Sequence, residues 1–478
     1  MSPMPSINHI SDFPDKLNPM LVKELRQGLR GISFVVLFIA IQAFLCFILL
    51  ITAAVASHEN AGHLLSRVIF FFYSLAVLVV QPLRGIGALQ SEIKNNTIDI
   101  LYLTRLSAWR ITFGKWISIV SQSALILTAI IPYLILRYFF GDMQIFSEIL
   151  LMLSIFLLSA LFTAGTVGFS ALKSVIIRVL LPIIAAFFVF IFIWNLFFDG
   201  RQTFLTLLRP VTLDSLTTTL TFLSFIIVCV YAIWMLLDLG TSLMAPVSEN
   251  RATRRRIISL GLITISLLVF AVAKVDMEVS LALSLAFCVP VSVISLTENT
   301  NLAQPIVAPF TRKGMIGSAA GRALYPGWAT GLVFVLLLYG LIQGLMHFSY
   351  RANAEAITLL NSAFAFLLFP LALTRLFAKK HDNRFGIYLI FICTQFLIVL
   401  IVIAAEEFID GGKLQIMQCF FWVPTSIIHL GESSRFSETA LLNVSYINVI
   451  LYASIALTSS LPVWKHIRDV ERVSKNEQ

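Results

Sequence analysis

Long apolar runs dominate the chain and constrain its fold more than any other feature. An α-helix needs about twenty apolar residues to cross roughly 30 Å of hydrocarbon, and about twelve such runs can be placed. They cover residues 32–56, 64–90, 116–140, 145–172, 175–198, 215–240, 257–273, 278–297, 328–348, 356–377, 386–405 and 440–463. The sequence therefore predicts an all-α, polytopic integral membrane protein.

Composition agrees with this class, since 58% of the 478 residues are hydrophobic and only 12% are charged, against roughly 25% charged in soluble domains. The first residues hold Pro3, Asp12 and Pro14, without an apolar core before a small-residue cleavage site. We therefore expect an uncleaved first span. The expected location is the cell membrane, which is the inner membrane if the chain is bacterial.

The distribution of basic residues predicts the orientation of the spans. With both termini in the cytoplasm, most of the 34 Lys and Arg residues fall in cytoplasmic segments, as the positive-inside rule requires. Those on the opposite side are Arg67, Arg137, Arg201, Arg209, Lys274, Arg351, Lys413 and Arg435. Because the basic residues are spread over every cytoplasmic loop, the net charge of +9 does not indicate a nucleic-acid partner.

Ionisable side chains are missing from the central turns of the predicted spans. Such groups are costly in lipid and mark the transport path of many ion-coupled carriers. We interpret the neutral midspan residues as helix-packing contacts. They are Gln42, Gln122, Gln343, Asn361 and Gln395. Four charged residues near span ends are expected to reach the interface by snorkelling. They are Arg67, Arg137, Arg178 and Asp238.

The chain offers no nucleotide site of its own, since it has neither a GxxxxGK(S/T) loop nor an aqueous domain large enough to hold one. Its five cysteines and scattered histidines have no metal-binding spacing. We therefore expect no enzyme, no catalytic residues, and no cofactor or metal in this chain. ATP-driven transport would require a second polypeptide that binds ATP and Mg²⁺ and acts on a cytoplasmic loop.

One polar segment, residues 91–115, has a distinct sequence pattern: SEIKNNTIDILYLTRLSAWRITFGK. Its mixture of charged and apolar residues is typical of a short amphipathic helix at a membrane face. The segment resembles the coupling region of type-2 ATP-binding-cassette exporter permeases, which reads Glu, Gly-Thr-Leu-Glu, Thr-Pro-Leu-Ser and Gly-Lys. The residues assigned to it are Glu92, Thr97, Asp99, Leu101, Thr104, Arg105, Leu106, Ser107, Gly114 and Lys115. Asn96, Asp99 and Arg105 replace the Gly, Glu and Pro of the family pattern.

This resemblance implies that a cassette-type ATPase docks on residues 91–115. Apolar residues such as Leu101 and Leu106 would fill a groove of the ATPase, and Asp99, Arg105 and Arg110 would set the register by charge. The alternative is an amphipathic loop that lies on lipid headgroups.

The segment 18–31, NPMLVKELRQGLRG, resembles the N-terminal elbow helix of one branch of these permeases. Asn18 and Pro19 are typical of an N-cap and a first helical residue, and leucines recur every four residues opposite basic residues. The elbow residues are Asn18, Pro19, Leu21, Lys23, Glu24, Leu25, Arg26, Leu29 and Arg30. A solvated start of the first span is the alternative.

A third resemblance completes the expected domain plan: residues 245–256 are similar to the polar loop after the sixth span of that branch. We expect an N-terminus with an elbow helix, a permease unit, a basic cytoplasmic loop, a second six-span half and a cytoplasmic tail. Their bounds are 1–31, 32–240, 241–256, 257–463 and 464–478. Residues 311–328 hold the place of the coupling region in the second half without matching its motif.

The resemblance implies the transmembrane permease subunit of an ATP-driven exporter that moves an unidentified substrate by alternating access. Its partners would be a dimer of ATPase subunits and membrane lipids. The second half either completes the pathway as a degenerate repeat or is an added module beside a second permease chain.

Two other functions stay open. One is an ion-coupled secondary carrier, and the other is a membrane-embedded glycosyl or lipid transferase that would use Glu406, Glu407 and Asp410. The connection 406–439 is too short and irregular to cross the membrane. We expect it to be re-entrant or to lie on the surface.

Overall fold

The computed structural model describes most of the chain, and every regular element in the described part is helical. The described residues are 19–55, 61–94, 107–139, 145–172, 174–198, 215–245, 249–273, 277–300, 302–350, 353–377, 384–410, 421–431 and 437–476. The helices are α1 (Pro19–Leu29), α2 (Ile32–Val55), α3 (Ala61–Ser74), α4 (Gln90–Lys94), α5 (Ala108–Tyr138), α6 (Ile145–Phe169), α7 (Val175–Phe198), α8 (Leu216–Met244), α9 (Arg251–Ala273), α10 (Met277–Thr297), α11 (Gln304–Thr311), α12 (Gly314–Leu324), α13 (Trp328–Tyr350), α14 (Ala354–Phe377), α15 (Arg384–Asp410), α16 (Pro424–Gly431) and α17 (Glu438–Asn476).

Within these described ranges, 12 helices are long and apolar enough to cross a membrane. They are α2, α3 with its continuation to Leu83, α5 to α10, α13 to α15 and α17. The predicted fold class, an all-α multi-pass membrane protein, is confirmed.

Some helix ends differ from the predicted ones because a helix continues past the apolar run where its polar residues find partners. α5 begins at Ala108 and not at 116, and α9 begins at Arg251, inside the predicted loop 241–256. α17 continues to Asn476, so the expected tail at 464–478 is largely helix. Ile467 and Glu471 in this continuation are buried.

The chain forms two compact units, one of residues 1–222 with 236–244 and the other of 223–235 with 245–478. In the first unit, α3 continues as a π-helix (Leu75–Val80) and a short α-helical turn (Gln81–Leu83). A π-helix releases a carbonyl from the regular helical pattern. Ser159 Oγ on α6 donates to the carbonyl of Val77 at 2.5 Å, so a neighbouring span uses an acceptor in this irregular segment.

Small residues bring α6 and α8 together inside the first unit. A Cβ added to Gly240 would lie 2.9 Å from the Cα of Gly168, and one added to Gly168 would collide with the carbonyl of Leu236. Such close backbone approach is typical of helix packing in membranes.

Neutral polar residues connect spans in the second unit. Tyr339 Oη donates to Asn361 Oδ1 at 2.7 Å, and Asn361 Nδ2 donates to Ser445 Oγ at 3.0 Å. Gln343 Nε2 donates to Tyr446 Oη at 3.2 Å. These are the interhelical hydrogen bonds expected of midspan Asn and Gln.

The expectation that charged residues near span ends snorkel to the interface is wrong for Arg137. Its side chain is 1% exposed and lies 2.9 Å from the equally buried carboxylate of Glu148, between the end of α5 and the start of α6. Arg178 and Asp238 are also buried. Lipid excludes single charges, and Arg178 Nη1 donates to the carbonyl of Leu172 at 3.3 Å.

The connection after α15 contains the short helix α16, which packs against neighbouring spans. Ile427 of α16 is buried with Val402 and Leu441. Asn448 Nδ2 on α17 donates to the carbonyl of Phe421 at 3.0 Å. Asn448 is about eight residues past the first apolar residue of α17, roughly 12 Å along its axis. The packing therefore favours the re-entrant alternative over a surface-lying segment.

The residues considered for a transferase lie at the end of α15. Glu406, Glu407 and Asp410 belong to its last turns.

Candidate coupling site

The structure describes both ends of the predicted coupling segment. Glu92 lies on α4, Ser107 precedes α5, and Gly114 and Lys115 lie within the first turns of α5. The remaining coupling residues lie outside the described part of the chain, as does Asn18 of the elbow segment. They are Thr97, Asp99, Leu101, Thr104, Arg105 and Leu106.

α1 packs along α5 through its small and polar face. A Cβ added to Gly28 would lie 2.5 Å from Ser118 Oγ and 2.6 Å from Gln122 Nε2, so any larger residue would force these two side chains to move. Ser118 Oγ donates to the carbonyl of Glu24 at 2.8 Å. The helix that begins with Pro19 is therefore fixed to the third span.

The remaining elbow residues follow the predicted two-sided pattern. Three leucines of α1 are half-buried and three basic residues are exposed. The leucines are Leu21, Leu25 and Leu29, and the basic residues are Lys23, Arg26 and Arg30.

Lys115 joins α1, α4 and α5 in one ion-pair cluster. Its Nζ lies 2.8 Å from Glu24 Oε1 and 3.0 Å from Glu92 Oε1. The three side chains are 14%, 7% and 14% exposed for Lys115, Glu24 and Glu92. Partial burial strengthens such contacts because solvent screens them less. Lys115 therefore connects the residues that enter the coupling segment with the helix that leaves it.

Arg84 makes a second connection immediately after α3. Its Nη1 donates to Gln122 Oε1 on α5 and, at 3.3 Å, to Gln81 Oε1. Its guanidinium also lies 5.9 Å from the ring centre of Phe34 on α2. Burial lowers the pKa of Arg84, although arginine keeps its charge in proteins. The end of the second span is thus joined to the third span.

Ser107 and Gly114, two residues of the predicted coupling motif, differ in what the surrounding structure requires of them. Ser107 is the extended residue before α5, and its carbonyl accepts from the N–H of Arg110 at 2.9 Å. Gly114 is buried, but a Cβ there would meet nothing within 4 Å among the described atoms. Packing of the described residues therefore does not require glycine at 114.

A second polar connection, residues 298–327, follows α10 in the second unit. It contains α11 and α12, which pack against each other as a helical hairpin that we call the 304–324 hairpin. Arg256 Nη1 donates to the carbonyls of Ala323 at 2.9 Å and Tyr325 at 2.6 Å, and its Nη2 donates to Glu298 Oε2 at 2.6 Å. The base of the hairpin is thereby fixed to the start of α9 and the end of α10.

Sequence reasoning assigned Arg255 and Arg256 to a basic loop and missed this network. Both arginines are buried within α9, and Arg255 Nη2 lies 3.0 Å from Glu298 Oε1. Only a weak signal in the sequence pointed to this network. Arginines that directly adjoin an apolar run need hydrogen-bond acceptors if the helix begins before them.

Comparisons with known proteins returned no relative. No protein-family model matches the chain, and neither a curated protein nor a solved structure matches it. Within the described residues no group of three or more His, Cys, Asp or Glu side chains could hold a metal ion.

Proposed function

We propose that this multi-pass membrane protein is the permease subunit of an ATP-driven exporter of the type-2 cassette class. Hydrolysis takes place on a separate ATPase that docks on residues 91–115. The observation that carries the proposal is the Lys115 cluster, because it links the elbow helix, the entry to the coupling segment and the third span.

The mechanical requirement of such a transporter supports this assignment. A docking segment transmits movement to the transport pathway only if it is rigidly attached to spans on both sides. Lys115 and Arg84 supply that attachment through charged and polar side chains that are largely withdrawn from solvent. A loop that only lies on lipid headgroups would not need this rigid attachment to the spans.

The test is purification of the chain in a mild detergent, followed by identification of a co-purifying cassette-type ATPase. Leu101→Asp and Leu106→Asp should each abolish the association, because a charge would enter an apolar groove. Val473→Asp, at an exposed position near the charged end of α17 and outside the coupling segment, serves as the matched control. Association that survives both leucine variants would place the contact elsewhere.

An ion-coupled carrier is the second candidate, and the buried Arg137–Glu148 pair favours it. Buried ionisable residues of membrane proteins commonly mark ion or proton paths. The two candidates differ in their energy source. Transport that follows a proton gradient, ignores ATP and fails in Glu148→Gln would replace the exporter proposal with the carrier.

A further inference from the structure

Arg375, in the last turn of α14, is buried without an oxygen acceptor among the described residues. It is 7% exposed, and its Nε is withdrawn from solvent and has no hydrogen-bond partner there. The ion pairs and hydrogen bonds of the described chain do not include its guanidinium. A buried charge that lacks a counter-charge is strongly unfavourable. The described residues therefore leave the charge of Arg375 uncompensated.

Other buried arginines in the described part of the chain all have an oxygen acceptor. The contacts are those of Arg137 with Glu148, of Arg178 with the carbonyl of Leu172, and of Arg255 and Arg256 with Glu298. Arg375 is the exception within these ranges, which indicates that its acceptor comes from elsewhere.

Trp328, the first residue of α13, covers one face of the Arg375 guanidinium. The guanidinium carbon lies 3.5 Å from the centre of the indole ring, and Trp328 itself is buried. Stacking of this kind fixes the plane of an arginine and leaves the N–H groups at its edge for a ligand. A cation–π contact compensates only part of the cost of burying the charge. Trp328 therefore orients Arg375 without taking the place of an anion.

A second arginine, Arg384 at the start of α15, adds positive charge to the same place. It is half-buried, lies close enough for its charge to act on Arg375, and has no acceptor among the described residues either. Glu298 approaches the start of α13, where it accepts from the N–H of Gly327 at 3.2 Å, but its two oxygens already bind two arginines of α9. Like charges at close range repel, so an anion bound by both arginines would stabilise this end of α14.

The ligand class follows from the chemistry of two arginines at the end of a span. The candidate span of α14 ends at Phe377, two residues after Arg375, and Leu376 and Phe377 are 54% and 77% exposed. The planar fork of arginine binds phosphate oxygens in pairs, and basic pockets between spans hold anionic lipid headgroups in many membrane proteins. An occupant with a phosphate group and an apolar body matches both the arginines and the apolar side chains that follow Arg375.

We propose that Arg375 and Arg384 form a binding site for a phosphate group, with Trp328 as the stacking surface that orients Arg375. The phosphate group belongs to an anionic lipid or to a soluble phosphate compound, and the exposed Leu376 and Phe377 favour the lipid. This site does not depend on how transport is powered, so the inference stands apart from the proposed ATPase.

Binding to the delipidated full-length chain in an uncharged detergent tests the proposal. Native mass spectrometry measures the affinity for phosphatidylglycerol, and diacylglycerol with the same acyl chains serves as the ligand without a phosphate group. We expect Arg375→Gln to weaken phosphatidylglycerol binding by about tenfold or more, the loss expected of a charged hydrogen bond. Arg384→Gln should weaken it as well, and neither variant should change the binding of diacylglycerol.

Arg254 provides a matched control because it also lies at the end of a span beside a tryptophan. It is exposed, and its guanidinium carbon lies 6.0 Å from the ring centre of Trp234. Arg254→Gln removes the same charge from the protein, but it should change the affinity for phosphatidylglycerol by less than about twofold.

Thermal unfolding distinguishes a ligand site from a purely structural contact. If Arg375 only held α14 to Trp328, Arg375→Gln would lower the Tm of the delipidated chain. The proposal predicts that this Tm stays the same or rises, because an uncompensated buried charge is removed. The increase in Tm that phosphatidylglycerol causes in the unaltered chain should disappear in the variant.

Inorganic phosphate distinguishes the two sources of the ligand. An increase in Tm with inorganic phosphate alone, abolished by Arg375→Gln, would assign a soluble phosphate compound, and an increase with phosphatidylglycerol only would assign a lipid. Phosphatidylglycerol binding that Arg375→Gln leaves unchanged, that Arg254→Gln weakens equally, or that diacylglycerol matches would overturn the proposal. A loss of Tm in Asp382→Asn equal to that in Arg375→Gln would also overturn it, because this residue outside the described ranges would then be the counter-charge.

Discussion

Replacement of Lys115 by methionine tests the ion-pair cluster on which the proposed coupling site depends. Lys115→Met keeps the length of the side chain and removes its charge. The carboxylates of Glu24 and Glu92 then face each other within about 6 Å, since each lies near 3 Å from the lysine nitrogen. At an effective dielectric constant near 20, two like charges at that distance repel by about 3 kcal/mol.

We therefore expect Lys115→Met to lower the free energy of unfolding by about 3 kcal/mol, within the range for removal of one partner of a buried pair. Glu24→Gln in the same chain should restore most of this loss, because it removes the repulsion. The non-additive coupling in the double-mutant cycle should exceed about 1 kcal/mol.

The assay is equilibrium unfolding in mixed micelles, titrated with a denaturing detergent and followed by tryptophan fluorescence. Lys23→Met is the control, since Lys23 is exposed on α1 next to Glu24 and should change stability by less than about 0.5 kcal/mol. Equal effects of Lys115→Met and Lys23→Met, or no recovery in the double mutant, would refute the reasoning.

Three further predictions concern structure outside this cluster. Glu148→Ala should cost about 3 to 5 kcal/mol in the same unfolding assay, because it leaves Arg137 buried without its carboxylate; an effect below about 1 kcal/mol would mean that solvent reaches the pair. Gly168→Val should lower the yield of folded monodisperse protein in size-exclusion chromatography, because its side chain would collide with α8; Gly261→Val, where a Cβ meets nothing within 4 Å among the described residues, should leave the yield intact. Glu298→Gln should increase proteolysis of the 304–324 hairpin, since two arginines lose their counter-charge, and unaltered cleavage would show that the carbonyl contacts of Arg256 suffice.

The number and character of the spans were predictable because lipid imposes a minimum length on any apolar helix. The helix ends were not, since they depend on contacts beyond the lipid. α17 continues past Val463 because Ile467 and Glu471 pack against the hairpin, and no local pattern in the tail encodes that partner.

The ion-pair partners of individual charged residues could not be predicted from the sequence either. Arg137 near a span end is compatible with either snorkelling or burial, and only the arrangement of α5 and α6 brings Glu148 to it. In the candidate site, the resemblance singled out Glu92, Glu24 and Lys115 separately. The contact between them depends on how α1 packs along α5. Gly28, which lies where these two helices approach closely, was the local sequence feature that pointed to this packing.

The central claim is that a separate ATPase acts on this chain through residues 91–115. ATP hydrolysis by the purified protein in lipid nanodiscs, compared between the unaltered chain and Leu101→Asp, tests it most directly. The account predicts ATPase activity that co-elutes with the unaltered chain and falls to background in Leu101→Asp. A folded, monodisperse chain that elutes without ATPase activity, or activity that Leu101→Asp leaves unchanged, would contradict it.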